Sequence, residues 1–470
     1  MFRDETTRTR NRFHHWNTRT RGSDSTSASN APLSLALITP AYRLAPSAED
    51  AAICHFYQTI IDTLSDEDPA YYLHTQLPSL YARSDLGSAL RLATEAISYA
   101  VSVKLVREAT LLSRIRYVRA IQAIGKAIQD PREARNDETL YAILLLCGYE
   151  TILQNQNTPP AWGAHVDGAA ALVKFRGTSE VHTPLSRSMF SFVRKSVVLG
   201  HMQICRPVDK IFTVPGATTS LHESPEDHLI STAAKIPNLQ YRSNCLFNKP
   251  QEASENDTET LFSSAMALDR ELSDWASNIP TTWSYSAAIN VSDPATSKFT
   301  SGQVHRYPNF YIARVWNFYR VSRLVIQSVL VRAISRLPML TETHTKKEYR
   351  KSKIEGSSME LVNDICASVP FLLGHDLSKM KLPATSGRTK QETSWPGVEE
   401  NGATRTGRFS LIWPLYVACS ASSVPEAQRE WMHMQLRFLA ENGESQAHVV
   451  CLTKSQTLLG GAENFRFDCV

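Results

Sequence analysis

The sequence lacks the clustered cysteines that a zinc module or a disulfide framework requires. Its eight cysteines are spread over 470 residues, and no two of them lie within 15 residues of each other. A binuclear zinc cluster needs six thiolates close together, because bridging sulfurs must hold both metal ions. These cysteines cannot build such a cluster, and we expect neither a bound metal nor another cofactor. Scattered thiols also suit a reducing, intracellular compartment.

Long apolar runs are also missing. The longest, 33–38 and 142–147, are about six residues long, whereas a membrane-spanning helix needs about 20 apolar residues. The N-terminus has arginine and serine but no apolar block after them, so it does not resemble a secretory signal. It shares this composition with mitochondrial transit peptides, although Asp4, Glu5 and Asp24 interrupt it. We therefore expect no contact with a membrane.

The sequence contains no recognisable motif for covalent chemistry. It has no G-x-S-x-G elbow, no H-E-x-x-H helix and no glycine-rich phosphate loop. The acidic run 66–68 lacks the carboxylate spacing of a terpene-cyclase magnesium site. His165 and Asp167 would point about 200° apart on a helix, so they are not expected to share one catalytic site. His448 and Cys451 supply only two of the four ligands of a zinc site. We predict no catalytic residue, no metal site and no enzymatic activity.

Positive charge is concentrated at the N-terminus. The first 21 residues contain six arginines and two carboxylates, so they carry the whole formal net charge of +4. The rest of the chain is neutral overall and has no general attraction for nucleic acid. The arm is a candidate for nuclear import or for weak, non-specific binding of DNA phosphates, and a solvated basic tail is the alternative. The candidate residues are Arg8, Arg10, Arg12, Arg19 and Arg21.

Apolar stripes at helical spacing follow one another along the chain. Ser47 is a candidate N-cap for the first of them. The longest covers 310–337 and stops before Pro338. The pattern predicts an all-α fold, either an irregular multi-helix bundle or a helical-repeat-like array. Three further stripes are Leu86, Leu90, Ala93, Ile97, Val101 and Leu105; Ile115, Val118, Ile121, Ile124 and Ile128; and Met359, Val362, Ile365, Val369 and Leu372.

We divide the chain into a disordered basic arm and linker, 1–45, and one helical domain, 46–470. Three polar segments near 251–260, 341–358 and 378–408 are predicted to be solvated loops or disordered inserts within that domain, because they are rich in charge and poor in apolar anchors. Three arginines interleaved with aromatic residues are expected on an exposed face or paired with acidic residues. They are Arg314, Arg320 and Arg323.

The segment 137–177 is the most informative part of the chain. Asp137 and Glu138 place negative charge at the start of one predicted helix, where the helix dipole favours it. A second helix is predicted after a Pro-Pro dipeptide, and Gly177 stands where a left-handed residue ends a helix. The small residues 168–171 would let another helix approach closely.

Particular residues of this segment, and of a second stretch at 412–418, form a pattern that we call the landmark residues. They are Tyr149, Glu150, Trp162, His165, Gly168, Ala169, Arg176 and Gly177, followed by Trp413 and Pro414 with Arg429, Glu430 and Trp431 downstream. With these residues in this order, the chain resembles the effector domain of fungal-specific transcription factors. These motifs are structural, and Pro414 is expected in the first turn of a helix anchored by the ring of Trp413.

The resemblance implies a nuclear transcription regulator that lacks the usual six-cysteine zinc cluster. Such a protein would control a metabolic or secondary-metabolite gene set. Its helical domain would sense a small-molecule effector, bind other regulators or self-associate. One alternative is a co-regulator that heterodimerises with a zinc-cluster factor and does not touch DNA. Another is an all-α enzyme whose site is assembled from residues distant in sequence.

Overall fold

A computed structural model describes residues 47–452 apart from 64–67, 104, 154–161, 178–180, 214–223, 249–254, 290–302, 337–343, 376 and 378–404. This part of the chain forms seventeen α-helices, one short 3₁₀ turn and one two-stranded sheet. The expected all-α class is confirmed. None of the described helices combines the length and the apolar character that crossing a membrane would require.

The first nine helices surround one hydrophobic core, which we call the N-terminal core. Its buried side chains include Phe56, Leu77, Leu146 and Phe190. Helix α6 packs against α3, α4, α7 and α8, and it is apolar on nearly all sides because it is enclosed on nearly all sides. The helices are α1 (Ala48–Thr63), α2 (Pro69–Arg83), α3 (Ala89–Val101), α4 (Ala109–Ala127), α5 (Pro131–Arg135), α6 (Asp137–Leu153), α7 (Trp162–Arg176), α8 (Pro184–Ile204) and α9 (Lys210–Thr213).

The remaining elements surround the C-terminal core. Helix α13 is buried along most of its length, and Trp275 meets Trp316 edge to face with ring centroids 5.5 Å apart. The elements are α10 (Pro225–Ala233), α11 (Ile236–Asn248), α12 (Glu255–Ser277), β1 (Ser286–Ile289), β2 (Gln303–Arg306), α13 (Phe310–Arg336), α14 (His344–Leu372), α15 (Arg405–Ser420), α16 (Glu426–Glu441) and α17 (Ser445–Leu452).

The two strands form an antiparallel pair that the sequence did not indicate. Ser286 lies opposite Arg306 and Ile289 opposite Gln303. Each strand has four residues, which is too short for an alternating pattern to stand out from the helical signal.

Helix α8 joins the two cores, because Val193 and Val197 pack into the first while Val198 and Met202 pack into the second. A buried ion pair also connects them, since Arg314 on α13 donates to the carboxylate of Asp68 at 2.8 Å. Burial acts to raise the pKa of Asp68, but Arg314 and the nearby Lys195 outweigh it and hold that pKa below its usual range.

Local sequence signals explain where several helices begin. Ser47 accepts a hydrogen bond from the backbone N–H of Asp50 at 3.0 Å, which confirms it as the cap of α1. Asp68 caps α2, with Pro69 in the first turn. Thr183 and Ser186 form a reciprocal capping box at the start of α8. The two helices predicted within 137–177 are confirmed as Asp137–Leu153 and Trp162–Arg176, and the helix predicted over 310–337 is confirmed as Phe310–Arg336.

Two of the three polar segments contain helix rather than loop alone. Helix α12 already begins at Glu255, and α14 begins at His344, so most of 341–358 is helical. The polar part of α14 is rich in lysine and glutamate, which have good helix propensity, and Lys351 pairs with Glu355 one turn on. Low hydrophobicity there reflects a solvated helix surface. The third segment lies outside the described residues except for its last residues, Arg405 to Arg408, which open α15.

Candidate functional site

Three landmark residues meet around Tyr117, which lies on α4. The Tyr117 hydroxyl donates to the carboxylate of Glu150 on α6, and its oxygen lies 2.9 Å from Nε2 of His165 on α7. The Tyr117 ring stacks on Tyr149 with centroids 4.4 Å apart. One phenol therefore links three helices, and we call this arrangement the Tyr117 cluster.

The electrostatics of the Tyr117 cluster favour a fixed hydrogen-bond pattern over proton transfer. Burial, and then the hydrogen bond and charge of Glu150, raise the pKa of Tyr117 far above its ordinary value. Burial lowers the pKa of His165, although the Glu150 carboxylate opposes this effect. The phenol thus stays a donor and the imidazole stays neutral at pH 7. The cluster acts as a clasp between helices.

A second group of landmark residues ends helix α7. The guanidinium of buried Arg176 pairs with the carboxylate of Asp137 in the first turn of α6. Gly177 has φ +73°, and its N–H donates to the carbonyl of Val173 at 3.0 Å. The predicted left-handed stop is therefore confirmed, and the acidic start of α6 has a partner 39 residues away. A bidentate group such as guanidinium holds such a contact in a defined orientation.

The expectation that Gly168 lets another helix approach closely is wrong. Gly168 faces open space and lies on the exposed side of α7, whereas its neighbour Ala169 is buried. Close helix approach occurs instead at Gly148, where an added Cβ would lie 3.0 Å from the side chain of Ile97. The side chain of Trp162 lies outside the described part of the structure, so its place among the landmark residues stays a prediction.

Pro414 lies in the interior of α15 and not in its first turn. A proline there removes one backbone hydrogen bond of the helix. The helix continues because Leu411, Leu415 and Tyr416 around it are buried in the C-terminal core, and this packing outweighs the lost bond. Trp413 is partly buried against the same core.

Arg429, which the sequence pattern named without a role, closes the end of α15. Its guanidinium donates to the backbone carbonyls of Cys419, Ala421 and Val424, the last two at 3.2 Å. Carbonyls at the end of a helix have no partner within the helix, and a cation there also complements the helix dipole. The landmark residues Trp413, Pro414 and Arg429 are therefore structural.

The three arginines of α13 have different surroundings. Arg314 pairs with Asp68, and Arg323 makes a two-pronged contact with Asp269 at 2.8 Å for each bond. Both outcomes confirm the expected pairing with acidic residues. Arg320 is completely buried; it too pairs with an acidic residue, Asp364, and it donates to the Tyr307 hydroxyl at 2.7 Å and to the Asn317 side chain at 2.8 Å.

Aromatic rings surround this buried arginine. Its guanidinium carbon lies 5.1 Å from the ring centroid of Tyr285 and 5.7 Å from that of Trp316. Asp364 offers a carboxylate 3.5 Å from Nε. Burial acts to lower the pKa of Arg320, but Tyr307 and Asp364 outweigh it and raise that pKa above its usual range. Cation–π contact and the carboxylate together keep a charge inside the C-terminal core.

Helix α4 does not direct most of its predicted apolar stripe toward the core. Its buried residues are the small ones, Ala109, Ser113 and Ala120. Leu112 and Ile124 pack against buried clusters, whereas five other aliphatic residues of α4 and its C-cap point outward, and we call these five the outer strip. They are Leu111, Ile115, Val118, Ile121 and Ile128, with exposed fractions of 62%, 39%, 52%, 42% and 52%. In the stripe of α3, Leu86 and Leu105 are likewise exposed, because that helix spans only Ala89–Val101.

A pocket of about 420 Å³ lies along one edge of α4. Glu49 and Glu95 line it, and both accept from the Tyr81 hydroxyl at 3.3 Å. Burial, followed by the charge of Glu49, raises the pKa of Glu95. The two carboxylates are neutralised by two cations, since Arg116 lies 2.8 Å from Glu95 and Arg91 lies 3.2 Å from it.

Two further cations line this pocket. Arg119 and Lys126 line it from α4, and neither forms an ion pair with any residue that the structure describes. Leu86, whose exposed fraction is 86%, lines the pocket from the α2–α3 loop. The pocket therefore combines an apolar rim with a local positive charge.

The candidate residues of the basic arm, Arg8, Arg10, Arg12, Arg19 and Arg21, lie outside the described residues. Their assignment to nuclear import or DNA contact stays a prediction. Tyr117 and the outer strip were not identified from the sequence as functional features. A signal did exist, because the small residues of α4 recur on the face opposite its large aliphatic ones.

Comparison with known proteins gives the following matches. Residues 60–199, which include Tyr117 and the landmark residues from Tyr149 to Gly177, match the family model described as fungal specific transcription factor domain. The chain is 25% identical over 373 residues to transcription factor dbaG of Emericella nidulans, and the alignment covers 78% of this chain and 82% of that protein. An uncharacterized protein of the same fungus is 29% identical over 86 residues, 18% of each chain. No solved structure matches the chain significantly.

Proposed function

We infer that this chain is a transcription regulator that controls a metabolic or secondary-metabolite gene set. Its residues 60–199 match the fungal specific transcription factor domain. The observation that carries the proposal is the similarity to transcription factor dbaG over most of both chains. A likeness of that extent includes both cores and not only the matched domain. The regulated genes are the part of the proposal that goes beyond the family.

The described structure supports a role in contact and control. The landmark residues join helices through the Tyr117 cluster, the Arg176–Asp137 pair and the Arg429 cap. Each of these arrangements positions backbone elements relative to one another. A scaffold held at several points presents a defined surface to a partner, which is what a regulatory domain requires.

In this proposal the basic arm and the helical domain have different roles. The basic arm, 1–45, supplies nuclear import and weak, non-specific contact with DNA phosphates through its arginines. The helical domain, 46–470, binds other regulators or a second copy and responds to a small-molecule effector. The protein acts in the nucleus.

Deletion of the gene tests this function directly. We expect changed transcript levels in one coherent metabolic gene set, and restoration by the wild-type chain. An unchanged transcriptome under conditions where the pathway is active would refute the proposal.

A fluorescent fusion should accumulate in the nucleus, and changing Arg8, Arg10, Arg12, Arg19 and Arg21 to glutamine should reduce that accumulation. Equal nuclear accumulation of both fusions would refute the role of the arm.

A second candidate, a co-regulator that does not touch DNA, follows from the spacing of the cysteines. The 470 residues contain no group of six close cysteines, and in this candidate a partner reads the DNA sequence through its own zinc cluster. We would expect the purified protein to bind no DNA alone and to shift a promoter fragment only together with a zinc-cluster factor. Sequence-specific DNA binding by the isolated chain would refute this candidate.

The alternative of an all-α enzyme has one observation in its favour, the two carboxylates in the pocket beside α4. A raised carboxylate pKa in a pocket, such as that of Glu95, is typical of an acid-base site. Here Arg91 and Arg116 hold Glu95, and Tyr81 donates to it, so the arrangement is equally that of a satisfied ion network. If the Glu95→Gln variant regulated the gene set as the wild type does, the idea that regulation depends on catalysis by Glu95 would be refuted.

A further inference from the structure

Helix α4 buries small residues and exposes most of its large aliphatic ones, which is the reverse of an ordinary core helix. Its small residues Ala109, Ser113 and Ala120 pack onto the protein, which lets the helix approach α3 closely. Its exposed aliphatic residues form the outer strip, which extends over five turns. Single exposed aliphatic residues are common on protein surfaces, whereas contiguous apolar patches mark binding sites.

Within α4 itself the charges beside the outer strip have one sign, while the exposed carboxylates of Glu108 and Asp130 lie at its two ends. Within Ala109–Ala127 there are four cations and no carboxylate. Arg116 is engaged by Glu95, while Arg114, Arg119 and Lys126 are exposed. Arg114 precedes Val118 by one helical turn, and Arg119 and Lys126 are seven residues apart and therefore lie on one side of the helix. The strip is thus bordered by positive charge.

The apolar content of this surface favours a protein over a nucleic acid or a lipid bilayer. Five aliphatic side chains gain nothing from phosphate groups, which bind through charge and hydrogen bonds. A bilayer would bury the strip but would have no use for the adjacent pocket, which Leu86 borders and Arg119 and Lys126 line. A partner helix uses both features, because an apolar face covers the strip while a side chain enters the pocket.

The charge distribution also decides between a second copy and a different partner. If two copies paired through this face, Arg114, Arg119 and Lys126 of both would be brought to one interface with no carboxylate from α4 between them. Like charges at an interface oppose association, whereas complementary charges favour it. A helix flanked by aspartate or glutamate satisfies the two pocket cations that have no ion-pair partner among the described residues.

We propose that the outer strip of α4 and the adjoining pocket bind an acidic amphipathic helix of another protein. The apolar face of that helix covers Val118 and Ile121, and its carboxylates meet Arg119 and Lys126. This inference deepens the proposed function, since it names the kind of partner that the regulatory domain recruits. It rests on that function for its biological meaning, but the binding itself is a property of the purified chain.

The experiment selects helices on the purified full-length chain. A phage-displayed library carries amphipathic helices of about 18 residues, the length of the five-turn strip, with leucine on one face and glutamate, lysine or glutamine varied beside it. We expect glutamate to be enriched beside the leucines. The combined substitution Val118→Glu and Ile121→Glu should weaken the selected peptide at least about tenfold, because charge would replace the central apolar contacts.

Two further variants complete the test. Changing Arg119 and Lys126 together to glutamate should shift the preference from glutamate-flanked to lysine-flanked helices. Met434→Glu places the same charge on another half-exposed apolar residue, on α16 beside the C-terminal core, and should leave binding unchanged. Circular dichroism and thermal unfolding of each variant separate loss of binding from loss of fold.

Several results would overturn the proposal. These are selection of no helix, enrichment of lysine by the wild-type chain, or equal weakening by Met434→Glu. A wild-type dimer that the combined Val118→Glu and Ile121→Glu substitution disperses would assign the face to a second copy instead. Binding of anionic vesicles or of DNA that the same variant abolishes, with no helix selected, would assign it to those ligands. Failure here leaves the transcript test of the proposed function unaffected, and the reverse also holds.

Discussion

The two cores of this protein use their polar and apolar residues in opposite ways. The C-terminal core encloses a charged side chain, Arg320, within aromatic rings. The N-terminal core leaves five aliphatic residues of α4 partly exposed at its surface. A buried charge stabilises a structure only when every partner is in place, whereas exposed aliphatic residues become useful when another molecule covers them. We conclude that the N-terminal core is built for contact and the C-terminal core for rigidity.

Replacement of Arg320 by methionine should have the largest effect. It removes the donor to Tyr307 and Asn317 from a site with no solvent access. We expect a loss of about 3 kcal/mol in the free energy of unfolding. Urea unfolding followed by tryptophan fluorescence measures it. Arg114→Met on exposed α4 is the control and should cost less than about 0.5 kcal/mol. Equal costs would show that the C-terminal core does not depend on the enclosed charge.

Tyr117→Phe tests the clasp of the N-terminal core. It removes the hydroxyl between Glu150 and His165 but keeps the ring on Tyr149. A hydrogen bond to a charged group contributes about 2 kcal/mol. Amide hydrogen exchange should therefore quicken in α4, α6 and α7 and stay unchanged in α13. Tyr349→Phe, at an exposed position, should change nothing. Equal loss of protection in α13 would contradict the separation of the two regions.

The pH dependence of stability should be carried in part by His305 in the C-terminal core. Burial, aided by the charge of Arg320, lowers the pKa of His305 from 6.5 to about 2. Above pH 6.5 the residue is neutral in both the folded and the unfolded chain. Below it only the unfolded chain takes up the proton, so stability falls by up to about 1.4 kcal/mol per pH unit as the pH is lowered.

The measurement for this prediction is the urea midpoint of the wild type and of His305→Gln between pH 7.5 and 5. The wild type should lose stability faster as the pH falls, by about one bound proton. Parallel curves would mean that His305 is accessible to protons in the folded protein.

A pair of glycine substitutions should have the smallest effects, with opposite signs. Gly177→Ala places a side chain at φ +73° and should cost about 1 kcal/mol. Gly168→Ala lies in the exposed interior of α7 with open space around it, and should stabilise by about 0.5 to 1 kcal/mol. Thermal unfolding of both variants measures the contrast. The same sign for both would contradict the assigned conformations.

Much of the fold was predictable because local signals agreed with the structure. The Ser47 cap, the acidic start of α6, the left-handed Gly177 and the extent of α13 all follow from interactions within a few residues. The resemblance to fungal-specific transcription factors was also confirmed. Pro414 was placed wrongly, because the packing of Leu411 and Leu415 carries the helix through it.

The candidate site was less predictable. Glu150 and His165 were named from the pattern, but their common partner Tyr117 lies 33 and 48 residues away in sequence. The stripe of α4 was recognised as helical, but the sequence pattern did not show that most of it faces outward. Periodicity shows that apolar residues share a face, but it does not show what that face meets.

By itself, the sequence determined the helical class, the positions of several caps and stops, the absence of close cysteines and the likeness to a fungal regulatory domain. These properties depend on side chains near one another along the chain. Only the tertiary structure decided that Arg320 is enclosed while Arg114 is exposed, and that α4 turns alanine inward and isoleucine outward. The physical reason is that burial depends on which helices come close to one another, and that choice is made by the whole set of packed surfaces at once.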